Sequence, residues 1–222
     1  MPRTISERIE FSGAGLHSGE LSKVTVGPSR EEGIYFSTEN GLFPISSAHV
    51  EEKSRLTGSR LPDGTVVRTA EHLLAAIAGL DIDSAVIALE GEEVPILDGS
   101  PYPFAIALYG AGIVEFGEPA KKRTIHTPIA IDDITGGRSI MALPSERLMI
   151  TYVIDYPGTP IGTQRASYEL LPEVFMETIS RARTFGLVSE LDYLKKNGLA
   201  KGGSLDNALM FDEKGLLNEG GL

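Results

Sequence analysis

Glu71 and His72 set a carboxylate beside an imidazole, a pairing that suits proton transfer and metal ligation. They lie in R-T-A-E-H-L-L-A-A, residues 68–76, where Thr69 is the expected N-cap and Ala70 the expected first helical residue. Residues 73–80 (L-L-A-A-I-A-G-L) are apolar on every side, so the helix is expected to be buried. The positive end of such a helix favours an ionised Glu71 and a neutral His72, the forms needed for a base and a metal ligand. Taken alone, the pair is more often structural than functional. No H-E-x-x-H spacing accompanies it, and His72 supplies one of the three protein ligands a catalytic zinc uses.

Three further segments carry polar groups in suggestive arrangements. G-A-G-L-H-S-G, residues 13–19, has the glycine density of a dinucleotide loop, but L-S-K-V-T-V follows it and reads as a strand. A dinucleotide fingerprint needs a helix there, so the segment is read as a hairpin presenting His17, a position where histidine is usually just solvated. S-R-A-R-T-F-G, residues 180–186, reads as a cationic helix end with a glycine cap. Its functional reading makes Thr184 a donor to a developing oxyanion and Phe185 a pocket wall. G-L-A-K-G-G-S-L-D-N, residues 198–207, is a glycine loop expected to be flexible and to enter a strand. It lacks the G-x-S-x-G spacing of a nucleophile elbow, and no histidine follows it.

The elements that must position these residues are legible in outline. Arg8 to Phe11, Lys23 to Val26, Gly33 to Phe36, Val66 to Val67 and Ser84 to Glu90 read as strands around the helix from Thr69 to Gly79. P-I-L-D-G-S-P-Y-P, residues 95–103, is punctuated as a turn opening a helix over Pro103 to Tyr109. A polar stretch from Glu115 to Thr124 marks a boundary. Beyond it, Thr124 to Ile131, Arg138 to Leu143, Leu148 to Ile154 and Gly203 to Phe211 read as strands, and Pro172 to Arg183 as a helix. The pattern predicts an α+β fold of two similar domains, 1–118 and 119–222, with helices packed between sheets.

Composition excludes several classes. With no cysteine, disulfides, Cys-ligated zinc and thiol nucleophiles are absent, so a metal must be held by nitrogen and oxygen. The net charge of −11 opposes nonspecific nucleic-acid binding. No apolar run of membrane-spanning length and no basic, apolar leader is present, and the chain is read as cytoplasmic, with membrane association at most peripheral. The four histidines are His17, His49, His72 and His126.

Taken together, the sequence resembles the UDP-3-O-acyl-N-acetylglucosamine deacetylases, zinc amidases of lipid A synthesis. The likeness rests on G-L-H-S-G (15–19), R-T-A-E-H-L (68–73), V-P-I-L-D-G-S (94–100), S-R-A-R-T-F-G (180–186), G-G-S-L-D-N (202–207) and L-N-E-G-G-L (217–222), in the family's order. The resemblance implies two α+β domains with helices sandwiched between two sheets. It implies His72 as a zinc ligand, Glu71 as the base acting on zinc-bound water, and Thr184 as a donor to the oxyanion. It also places Asp155 and Tyr156 at uridine and Arg138 near the diphosphate. Phe185 to Ala200 would be an insert walling an acyl tunnel, through Leu187, Val188, Leu191, Leu194 and Leu199. The same resemblance would make Glu190 a sugar contact and His17 a wall residue, beside Phe185 as a pocket wall.

The implied substrate is a UDP-linked acylated amino sugar, cleaved to acetate and a free amine by a monomer. Family members continue past the position of Leu222 into an H-K-x-x-D segment that completes the zinc site, and His49 and His126 match no ligand position. The expectation is therefore a second domain lacking a core helix and a chain inactive alone, either a fragment or a short form. The alternative is a non-catalytic module that holds the UDP-sugar or its acyl chain.

Overall fold

The computed structural model describes residues 1–51, 56–118, 124–133 and 135–219. Strands β1 (Arg3–Ile5), β2 (Ile9–Ala14), β3 (Leu21–Gly27), β4 (Gly33–Thr38) and β5 (Gly41–Pro44) precede a small sheet of β6 (His49–Val50), β7 (Gly58–Arg60) and β8 (Val66–Arg68). Helix α1 (Glu71–Gly79), β9 (Ser84–Glu90), α2 (Tyr102–Gly110) and β10 (Ile113–Glu115) follow. The fold is α+β, as the pattern predicts.

β9 is central because its sequence, S-A-V-I-A-L-E, buries apolar side chains towards the core. It runs antiparallel to β3, with Val26 opposite Ile87, and parallel to β4, with Phe36 opposite Ile87. The hairpins β2–β3 and β4–β5 extend this sheet to seven strands together with β1 and β10. Val24 and Val26, on alternate positions of β3, pack with Leu73, Ala76 and Ile77 of α1 and with Phe104 and Leu108 of α2. Burying one such side chain contributes about 1.5–3 kcal/mol, against the entropy lost in ordering it.

The same core takes in Phe175 from far along the chain, 2 % exposed. Its ring seats against Gly79, where any Cβ would collide with it. Phe175 does not lie in the long helix expected over Pro172 to Arg183. One α-turn, α3 (Pro172–Val174), passes into a wide π-turn over Phe175–Ile179, and the helical path ends there. The wide turn points Phe175 into the core and frees Arg181 to Thr184 for other contacts.

The remaining strands are β11 (Ile129–Asp133), β12 (Arg138–Ala142), β13 (Met149–Tyr156), β14 (Gly162–Glu169), β15 (Phe185–Leu187) and β16 (Leu209–Phe211), with α4 (Leu191–Lys196) between the last two. β11 pairs with β12 and β13 with β14 as antiparallel hairpins, and β15 runs parallel to β16. The two hairpins are outside the core: Ile131 is 66 %, Ile140 69 % and Tyr152 69 % exposed. The final strand is shorter than expected, since residues 203–208 form turns instead. Part of the expected boundary at Glu115 to Thr124 lies outside the described residues, and Glu115 itself belongs to β10. No described helix is long and apolar enough to cross a membrane.

Candidate active site

Thr69 does not cap α1. Ala70 is the N-cap, with no side-chain cap bond, and helix bonding begins when the Leu74 amide donates to the Ala70 carbonyl at 2.9 Å. The Thr69 hydroxyl turns away and donates to Glu93 Oε1 at 2.9 Å, which holds Thr69 at φ 55°. Glu71 and His72 still fall in the first turn, as expected. Burial pushes the His72 imidazole below its ordinary pKa, while the negative charges of Glu71 and Asp98 pull it back in part. The neutral form expected of His72 is therefore favoured, with burial as the leading cause.

The β2–β3 hairpin is the structure expected for the glycine-rich segment, but His17 at its tip is half-buried. Its amide donates to Glu93 Oε1 at 2.8 Å, and its Nδ1 is buried without a hydrogen-bond partner among the described residues. Burial lowers its pKa, opposed by Glu93 and Glu71. The glycine loop near residue 200 is tied to this tip: Gly202 donates its amide to the Leu16 carbonyl at 3.0 Å and Lys201 to His17 at 3.2 Å.

A third contributor arrives through the turn at residues 96–100. Leu97 at φ 53° and Gly99 at φ 83° reverse the chain. The Thr184 amide then donates to the Gly99 carbonyl at 2.7 Å, while Arg183 Nε donates to the Asp98 carbonyl at 2.8 Å. A Cβ on Gly99 would collide with the Asn207 carbonyl oxygen, so only glycine allows the two segments this close. Arg181, expected to serve a helix C-terminus, instead stacks its guanidinium 4.0 Å from the Tyr102 ring centroid.

These segments enclose a cavity of about 650 Å³ lined by His17, Glu71, His72, Thr184, Phe185 and Glu190 together. Its apolar wall includes Leu191 and Leu194 of α4 and Met210 of β16. Leu187, Val188 and Leu199 do not line it. Tyr156 is one step removed, its ring set edge-on to Phe185 with centroids 5.4 Å apart. Asp155 accepts a 2.5 Å hydrogen bond from the Thr163 hydroxyl within its hairpin. Arg138 is paired with Asp133 at 2.6 Å, its side chain 81 % exposed, and does not line the cavity.

The donor set around His72 is one neutral imidazole with carboxylates near it. Among the described residues no group of three or more His, Asp or Glu side chains is placed to hold an ion. A catalytic zinc uses three protein ligands, so these residues do not by themselves fit one. Glu93, Arg183 and Asn207 organise the site and were not singled out from sequence. A buried glutamate in the run G-E-E-V looks like any surface acid until its partners are seen.

The UDP-3-O-acyl N-acetylglycosamine deacetylase family model matches residues 2–222. The UDP-3-O-acyl-N-acetylglucosamine deacetylase of Oleidesulfovibrio alaskensis is 41 % identical over 223 residues, covering 99 % of this chain and 72 % of that protein. The enzyme of the same name from Nitratidesulfovibrio vulgaris is 42 % identical, with 99 % and 71 % covered. The one from Pseudomonas entomophila is 39 % identical, with 99 % and 74 % covered. By these matches and by the order of its motifs, the chain belongs to the UDP-3-O-acyl-N-acetylglucosamine deacetylase family.

Proposed function

We propose that this chain carries the substrate site of a deacetylase acting on UDP-3-O-acyl-N-acetylglucosamine, a step of lipid A synthesis. The observation that carries the reading is the gathering of His17, Glu71, His72, Thr184, Phe185 and Glu190 on one cavity with an apolar extension. Residues 1–118 form the domain bearing the Glu71–His72 helix, and 119–222 the domain bearing the acyl wall. The acyl chain lies along Leu191 and Leu194, with Glu190 at the sugar and His17 as a wall. Tyr156, supported by Phe185, stacks on uracil beside Asp155, and Arg138 swings from Asp133 to the diphosphate.

Glu71 takes a proton from the water that attacks the N-acetyl carbonyl, and the Thr184 hydroxyl donates to the oxyanion that develops. The C–N bond breaks, the nitrogen takes up the proton, and acetate and the free amine leave. Zinc belongs to the proposal with His72 as one ligand. The described residues do not complete its coordination, so no step is assigned to the metal. The protein acts as a cytoplasmic monomer without nucleic acid.

That incomplete ligand set favours a second reading, a module that binds the UDP-sugar without cleaving it. Calorimetry with the UDP-linked substrate, alongside acetate release in the presence of zinc and of the family's H-K-x-x-D segment supplied in trans, separates the two. Binding with acetate release supports the deacetylase, and binding alone the module. Absence of binding overturns both.

A further inference from the structure

Glu93 is the one charged residue among the fully buried polar side chains of the described residues, at 3 % exposure. Its donors are neutral. The amides of His17 and Ser18 each donate to it at 2.8 Å, and the Thr69 hydroxyl at 2.9 Å. Among the described residues no ion pair to Glu93 is found, and a buried anion without one costs stability unless fixed dipoles replace its water shell. Burial pushes its pKa up, yet the amide and hydroxyl donors more than offset that and keep it below the ordinary range.

The donors come from two separate segments, the hairpin tip and the residue two before Glu71. Thr69 is β-branched and sits at φ 55°, a conformation that persists only where the surroundings impose it. The backbone beside Glu93 adds to that hold. The Arg68 amide donates to the Glu92 carbonyl at 2.8 Å and the Val94 amide to the Arg68 carbonyl at 2.9 Å. Gly15 closes the other side, since a Cβ there would collide with the Glu93 carboxylate. Both segments then deliver side chains to one cavity, His17 from the tip and Glu71 with His72 from α1.

We propose that Glu93 is a positioning residue whose buried carboxylate locks the His17 hairpin and the strained Thr69 turn together, so setting His17 against Glu71 and His72. Only the kinetic arm of its test rests on the deacetylase reading.

The test is Glu93→Gln and Thr69→Val in the full 222-residue chain, read by residue-resolved amide exchange and, with zinc and the H-K-x-x-D segment in trans, by acetate-release kinetics. In Glu93→Gln, exchange at the His17, Ser18 and Leu74 amides should accelerate about tenfold or more while amides of α2 keep their protection. The value of kcat should fall about tenfold or more with KM within about threefold, because misplacement harms the reacting geometry more than binding. Thr69→Val should move the same amides less, and the double variant should be no worse than Glu93→Gln, as expected for coupled groups. Unchanged exchange at those amides, or acceleration spread equally over α2, overturns the proposal. If Glu93→Gln does not fold, Thr69→Val decides by the same local or global pattern. If wild-type chain with that segment in trans binds substrate but releases no acetate, the deacetylase reading fails and the exchange result still decides the role of Glu93.

Discussion

The Thr184 amide reaches the Gly99 carbonyl at 2.7 Å, joining the S-R-A-R-T-F-G segment to the D-G-S turn. Gly99 also packs directly against the Asn207 carbonyl, and Asn207 is fixed by accepting from the Ser204 amide at 2.8 Å and donating to the Gly202 carbonyl at 2.9 Å. This backbone hydrogen bond holds the Thr184 segment on the turn at Gly99, and Thr184 lines the same cavity as His72.

Gly99→Ala should break this junction. The new methyl meets a backbone carbonyl that cannot swing aside, and φ 83° is unfavourable for alanine. A loss of about 1–3 kcal/mol is expected by urea unfolding, in the range for overpacked sites. A midpoint shift too small to resolve would show that the junction yields freely.

Glu71→Ala tests the proposed base. The residue is exposed at its helix end, so removing it should leave the fold intact. Acetate release should slow by about two to four decades, the contribution of a lost general base. Both are read with the family's H-K-x-x-D segment supplied in trans, and bound zinc should be nearly unchanged there. Zinc lost in parallel with rate would make Glu71 a ligand instead.

Leu194→Trp tests the acyl wall. Indole in place of isobutyl fills part of the cavity, where Leu194 stands on α4. KM for a long-chain acyl substrate should rise by about tenfold, equivalent to roughly 1.4 kcal/mol, while a short-chain analogue is affected little. Equal effects on both would place the chain elsewhere.

His17 should make stability depend on pH. Its folded pKa lies below the ordinary value because the imidazole is buried, so the unfolded chain binds more protons in the window below about 6.5. Its contribution is fully present above about 6.5 and lost as pH falls through the folded pKa. Urea midpoints should therefore drop on acidification below that pH, and His17→Gln should flatten the slope. An unchanged slope in the variant would assign the effect to other groups.

Local patterns in the chain were enough for the strands whose apolar residues alternate and for the α+β class. Val24 and Val26 identify β3, Ser84 to Glu90 are found as β9 without error, and Glu71 with His72 fall in the first turn of α1 as read. The order of short motifs was enough for the family. What failed were features decided by groups distant in sequence. Thr69 has the chemistry of a helix cap, but a carboxylate 24 residues away takes its hydroxyl. Pro172 to Arg183 has helical composition, but the path widens where Phe175 fills the space against Gly79. Gly203 to Phe211 read as one strand, yet over residues 203–208 Asn207 satisfies the backbone as a turn instead. Periodicity records the preference of a segment for water or core. It carries no information on which distant donor, ring or carbonyl competes for it, and that competition is settled only when the chain is packed.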